Sequence, residues 1–169
     1  MTASLDLGCG AEPKNPFEAD EVFGLDLIAG KNITVCDLAI ESIPFEDERF
    51  DYVTAFDFLQ QVPRLMYAPQ RRHCFIELMN EVYRVLKPGG TFLSLTPCYP
   101  AVSALRDPAN VQLITDETFT LYFDKVNRWA AANGFKGAFV IESQERSGQF
   151  HLLTTMKKSA LWFRQDQRF

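Results

Sequence analysis

The residues best placed to do chemistry are three aspartates, Asp6, Asp26 and Asp37. Each closes a short apolar run that reads as a strand. A glycine pair, Gly8 and Gly10, follows the first of them in the stretch Ser-Leu-Asp-Leu-Gly-Cys-Gly from Ser4. Carboxylates at strand ends accept hydrogen bonds from hydroxyls and amines, and the two glycines let backbone turn sharply and approach a ligand with no Cβ in the way. A lone G-x-G is a weak signal, so its surroundings decide. A dinucleotide loop needs a third glycine and a helix N-terminus to seat a pyrophosphate on free N–H groups. Here the loop runs into Ala11, Glu12 and Pro13, with Glu18, Asp20 and Glu21 close behind. Such a surround repels a diphosphate and suits a cationic ligand without phosphate. Asp26 lies about twenty residues after Asp6, the spacing at which an acid meets ribose hydroxyls in nucleotide-binding α/β folds. On spacing alone, a solvated turn aspartate is an equal alternative.

These residues need a scaffold, and 169 residues with 47% apolar and 23% charged side chains suffice for a single domain with one sizeable core. Residues 3–7, 22–27, 33–36, 50–56 and 91–96 read as strands. The connection after Gly10 contains Pro13 and Pro16 and leaves room for a turn or two of helix, an unusually short crossover. Residues 70–86 carry Phe75, Leu78, Met79, Val82, Val85 and Leu86 at helical spacing, with Lys87 and then Pro88-Gly89-Gly90 as the stop. Residues 98–118 form a long irregular segment, expected to be a substrate or lid loop. A helix is predicted over 118–133, ended by Asn133-Gly134, and a hairpin over 138–143 and 150–156. Strand, helix, strand in this alternation predicts an α/β fold: a Rossmann-like, doubly wound, mostly parallel seven-stranded sheet ending in an antiparallel hairpin, with helices on both faces. The tail 162–169 has no assignment.

A net charge of −5 argues against a nucleic-acid partner. Cys9, Cys36, Cys74 and Cys98 show neither metal-ligand spacing nor a dense disulfide pattern, which points to reduced thiols in a cytoplasmic protein and to no metal. No apolar run reaches the length of a membrane span. His73, beside Arg71 and Arg72, reads as a solvated helical face, and His151 as a satisfied core or edge histidine. Tyr99 is divided evenly between acceptor contact and packing, and Arg106 between a staple to Asp107 and substrate contact. Phe119, Tyr122, Phe123 and Trp129 read as core.

The stretch Leu5-Asp6-Leu7-Gly8-Cys9-Gly10, the Gly24-Leu25-Asp26 strand end, Asp37 and Arg84-Val85-Leu86-Lys87-Pro88-Gly89-Gly90 before a strand resemble, in their order, the class I S-adenosylmethionine-dependent methyltransferases. The likeness covers nearly the whole chain and is nearest to a small type with a shortened first crossover. Ile43-Pro44-Phe45, Phe50-Asp51 and the segment from Asp107 to Phe119 also match that type. The resemblance implies S-adenosylmethionine as cofactor. Gly8 and Gly10, with Cys9 as a small residue between them, would lie against its methionine part, and Asp6 would brace the loop or receive the ammonium. Asp26, with Leu27 beside it, would take the ribose hydroxyls. Asp37 would take the adenine amine, and Leu38 would pack against the ring. Phe56 and Asp57 would line the methyl-transfer opening, and Asp57, Tyr99 and Arg106 are the candidate acceptor contacts. A small-molecule or saccharide-type acceptor is expected, and no catalytic residue is assigned. Two departures stand out. Leu59-Gln60-Gln61 replaces the Leu-Glu-His common in the family, and strand one begins almost at Met1, without the usual covering helix. An open cofactor site follows, or one covered by residues 98–118, by a second copy or by a partner chain. The alternative is a degenerate or partner-dependent binding module without activity of its own.

Overall fold

A computed structural model describes residues 1–160; the unassigned tail from Trp162 lies outside them. Seven strands form one sheet in the order β3-β2-β1-β4-β5-β7-β6. They are β1 (Ala3–Leu7), β2 (Glu21–Asp26), β3 (Ile33–Val35), β4 (Phe50–Phe56), β5 (Leu86–Pro97), β6 (Phe139–Ser147) and β7 (His151–Lys158). The first five run parallel, and β7 joins β5 antiparallel with β6 outside it. The expected parallel sheet with a terminal hairpin is thus borne out.

Register divides the side chains into two faces, because paired residues point the same way and neighbours alternate. One face carries Leu5, Val53, Phe92 and Met156 in one row and Leu7, Ala55 and Ser94 in the next. Every one of these is fully buried. Helix α1 (Cys74–Val85) covers this face with Phe75, Leu78, Met79 and Val82 at its own 3.6-residue period. Phe75, Phe123, Phe135 and Phe139 extend the same cluster, the first two contacts edge to face at 5.7 and 5.0 Å and the last stacked at 6.0 Å between centroids. Burying each of these large side chains contributes about 2–3 kcal/mol.

The opposite face carries Ser4, Asp6, Tyr52, Thr54, Phe56, Leu93, Leu95, Leu153 and His151. The crossover of residues 8–20 lies over part of it without forming a helix, pinned by Asn15, whose side chain bonds both the N–H and the C=O of Ala19. Phe17 stacks on Tyr52 at 4.3 Å. Phe56, Leu93, Leu95 and Leu153 remain half-buried, so the two faces are covered unequally.

Other elements shift from the expected boundaries. Helix α1 starts at Cys74 rather than Gln70, because Met66 and Arg72 bridge and Arg72 engages Glu77. Segment 98–118 holds a single helical turn, α2 (Ser103–Arg106). The helix expected over 118–133 is broken into α3 (Glu117–Tyr122) and a 3₁₀ turn, Trp129–Asn133. Asp124 causes the break: its carboxylate accepts from Val126 N–H at 2.8 Å and from Ile141 N–H at 3.3 Å, and Arg128 then takes a left-handed φ of 49°. Phe119 and Phe123 are core as expected, whereas Tyr122 and Trp129 pair edge to face at the surface. His73 stands at the N-cap of α1, half-buried, rather than on a solvated helical face.

Candidate active site

The carboxyl ends of β1, β2, β3 and β4 surround a cleft of about 290 Å³. Its lining includes Gly8, Asp26, Leu27, Asp37, Leu38 and Asp57, six of the residues singled out in the sequence. Phe58, Gln61 and Val62 complete one wall. Three carboxylates and no basic side chain line this space, so its field favours a cation over a phosphate.

The loop after β1 is built by mutual bracing. Gly8 and Cys9 donate their N–H groups to Leu25 O at 2.8 and 3.2 Å, and Gly10 N–H donates to Asp26 Oδ2 at 2.9 Å. Gly8 and Gly10 both sit at left-handed φ, 61° and 68°. A Cβ on Gly8 would collide with the Phe58 ring, so the glycine is needed for space as well as for conformation. Asp26 also accepts Ile28 N–H through its other oxygen at 3.3 Å. The carboxylate is thereby oriented while lone pairs stay available to a diol. Asp37 is held similarly: its Oδ1 accepts Ala39 N–H at 3.0 Å, and its own N–H donates to Glu41.

Asp6 stands apart from the cleft. It is 1% exposed and accepts Thr54 Oγ1–H at 2.7 Å and Lys14 N–H at 2.9 Å. Burial holds its carboxyl above the usual carboxylate range, against the pull of those two donors. Of the two roles expected for Asp6, the contacts present are those of bracing. Cys9 is buried beneath the loop against Gly24, and burial, with Asp6 and Asp26 adding to it, pushes its thiol up to about 11. Phe56 does not line the cleft, and the Lys14 ammonium lies 5.0 Å above its ring. Tyr99 is exposed, and its carbonyl accepts from Arg146. Arg106 is exposed at the end of α2 and makes no ion pair with Asp107 among the described residues. Neither residue lines the cleft.

Two features escaped the sequence reading. Gln60, marked there only as a departure from a family pattern, is buried and structural. Its Nε2–H donates to Asp57 O at 2.7 Å, and its backbone carbonyl accepts Val111 and Gln112 N–H, tying residues 98–118 to the rim of the cleft. His151 sits at the sheet edge, its Nε2 2.8 Å from Asp57 Oδ1. No local signal could reveal that pair, because 94 positions separate its members. A second cavity of about 320 Å³, lined by Phe75, Ile76, Leu113, Phe123, Arg64 and His73 among others, contains none of the candidate site residues. Among the described residues no cluster of His, Cys, Asp and Glu is arranged to hold a metal, and no helix is long and apolar enough to cross a membrane.

The sequence model of a family described as "Methyltransferase domain" matches residues 5–94. The chain is 30% identical over 127 residues to a demethylmenaquinone methyltransferase of Anoxybacillus flavithermus, covering 62% of this chain and 48% of that one. A protein of the same name from Listeria monocytogenes is also 30% identical, over 130 residues, covering 64% and 50%. The chain thus spans about half the length of the curated relatives it matches. Among solved structures, a putative methyltransferase from Bacillus halodurans superposes with a TM-score of 0.62 at 15% identity, over 94% of this chain and 93% of that one. The [4+2]-cyclase SpnF also superposes with a TM-score of 0.62 at 15% identity, over 94% of this chain and 74% of that one. Such distant likeness speaks for the fold alone, since one fold hosts unrelated chemistries. The family match spans more than half the chain and includes the glycine loop, the acids Asp6, Asp26 and Asp37 and the approach to β5: this chain belongs to the methyltransferase-domain family, the class I S-adenosylmethionine-dependent methyltransferases.

Proposed function

We propose that this chain transfers a methyl group from S-adenosylmethionine to a small-molecule acceptor, with a reduced quinone ring as the first acceptor to try. The observation that carries the cofactor half is the makeup of the cleft, which combines two strand-end carboxylates, apolar walls and no cation. These residues fit the group. Asp26 would hold the ribose diol, Leu27 and Leu38 would flank the adenine, Asp37 would take its amine, and Gly8 and Gly10 would lie along the amino-acid part. When bound, the cofactor supplies a methyl already activated by a sulfonium.

The chain's own contribution is to align the acceptor, exclude water and set carboxylates, with no basic side chain, around the positive charge. Alignment alone lowers such a barrier by several kcal/mol. The quinone class is suggested by the curated relatives, which are 30% identical over part of their length; a saccharide finds no support there. Residues 98–118, hydrogen-bonded to Gln60 at the rim, are the proposed acceptor lid. A second reading, a module that acts only with a partner, is favoured by the half-buried Phe56, Leu93, Leu95 and Leu153.

Calorimetric titration with S-adenosylmethionine, S-adenosylhomocysteine and NAD tests the cofactor. Micromolar binding of the first two and none of NAD is expected, and no binding of either would overturn the assignment. Incubation with S-adenosylmethionine and a reduced short-chain demethylmenaquinone, read by mass spectrometry, tests the acceptor and the independence of the chain together.

A further inference from the structure

The Leu59-Gln60-Gln61 stretch lacks the acid and the histidine expected beside the methyl-transfer opening, yet the fold brings an acid and a histidine there from elsewhere. Asp57 lines the cleft immediately after β4. His151 opens β7, the strand that runs antiparallel to β5, so its first residue lies at the same edge as the carboxyl ends of the parallel strands. The pair reaches around β5, with Asp57 N–H donating to Leu95 O and His151 paired with Pro97. Asp57 is held in a left-handed conformation, φ 53°, by that bond and by the Gln60 side chain on its carbonyl. A non-glycine residue kept at positive φ beside a cleft marks a place where surrounding structure over-determines a conformation.

We propose that Asp57 and His151 are the proton-accepting pair of methyl transfer, a reading that rests on the function proposed above. Asp57 is the positioning residue. Its carboxylate accepts only, so it selects the imidazole tautomer with hydrogen on Nε2 and leaves a lone pair on Nδ1. Nδ1 makes no hydrogen bond among the described residues, and the imidazole is about a third exposed. Lys14 lies over Phe56, and Arg146 is paired with Asp116. The acceptor's O–H, N–H or ring-hydroxyl proton passes to Nδ1. The freed electron pair, relayed through the ring to carbon where a reduced quinone is the acceptor, forms the bond to the methyl carbon as the methyl–sulfur bond breaks, its electrons going to sulfur. On a ring carbon the hydrogen then leaves as a proton, its electron pair restoring the aromatic ring while the oxygen regains a proton. The imidazolium then returns its proton to solvent. This is the orienting logic of an acid–histidine pair, carried by residues 94 positions apart.

The chain has two histidines, so His73→Gln leaves only His151 to observe. Its imidazole ¹⁵N spectrum at neutral pH should show Nε2–H with bare Nδ1, and Asp57→Asn should abolish that preference. The opposite tautomer, or an imidazolium at neutral pH, would overturn the proposal. In the methylation assay, His151→Gln should lower kcat by about 100-fold or more, with the Kd for S-adenosylhomocysteine within about threefold of the parent. Added imidazole should restore part of the rate, which a merely structural residue would not permit. A kcat within threefold of the parent would overturn the pair. If the parent methylates no acceptor offered, the acceptor reading fails, and the ¹⁵N tautomer alone decides for or against the pair.

Discussion

The two faces of the sheet are made by the same strands and serve opposite ends. On the face under α1, Leu5, Leu7, Val53, Phe92 and Met156 are sealed from water. One residue further along each strand, the other face carries Asp6, Thr54, Phe56, Leu95 and His151, a mixture of buried polar, half-buried apolar and titratable groups. The first face holds the stability. The second, roofed by a short loop in place of a helix, leads to the cleft and to the proposed acid–histidine pair. A period of two lets one strand supply both, because a single step along the chain exchanges core for site.

The comparison can be broken most directly on the sealed face. Phe92→Ala should cost about 3–5 kcal/mol, read as a lower midpoint in urea. Leu95→Ala, on the same strand but half-buried on the other face, should cost clearly less. Equal losses would mean that both faces carry the core. The next effect is in binding. Removing the Asp26 carboxylate takes away charge-assisted hydrogen bonds worth about 1.5–3 kcal/mol. Asp26→Ala should therefore weaken S-adenosylhomocysteine by roughly 10- to 150-fold while the unfolding midpoint changes little; unchanged binding would remove the ribose assignment. The smallest effect touches neither fold nor ligand. With its thiol pushed up to about 11, Cys9 is about one part in a thousand thiolate at pH 8. An aromatic disulfide reagent should modify it slowly in the native chain and rapidly in guanidinium. Fast native modification would show that the loop roofing the second face opens readily.

Much of this arrangement was legible in the order of the residues. Strands at 3–7 and 50–56 appear within a residue of their observed ends because buried parallel strands read as near-continuous apolar runs. The α1 face is legible because six of its residues repeat at the helical period. The helix expected over 118–133 differs from the structure for the opposite reason. Its aromatic spacing suits a helix, but Asp124 binds backbone across the gap to β6, an interaction that local periodicity does not encode. Helix α1 starts later than its periodicity predicts for the same cause, since the bridge between Met66 and Arg72 is a contact of the folded chain.

The sequence by itself determined the parallel sheet, the glycine loop and the acids at the ends of β2 and β3. Each depends on neighbours within a few residues, or on a spacing that the βαβ unit enforces. Only the tertiary structure decided that Asp6 braces the loop while Asp26 and Asp37 face the cleft, since burial and partners are properties of the assembled sheet. It alone made Gln60 the clasp for Asp57, and it alone brought His151 from the last strand to the end of the fourth. The antiparallel insertion of β7 beside β5 turns a distant residue's start into a neighbour of the parallel strands' ends, and no spacing along the chain announces that meeting.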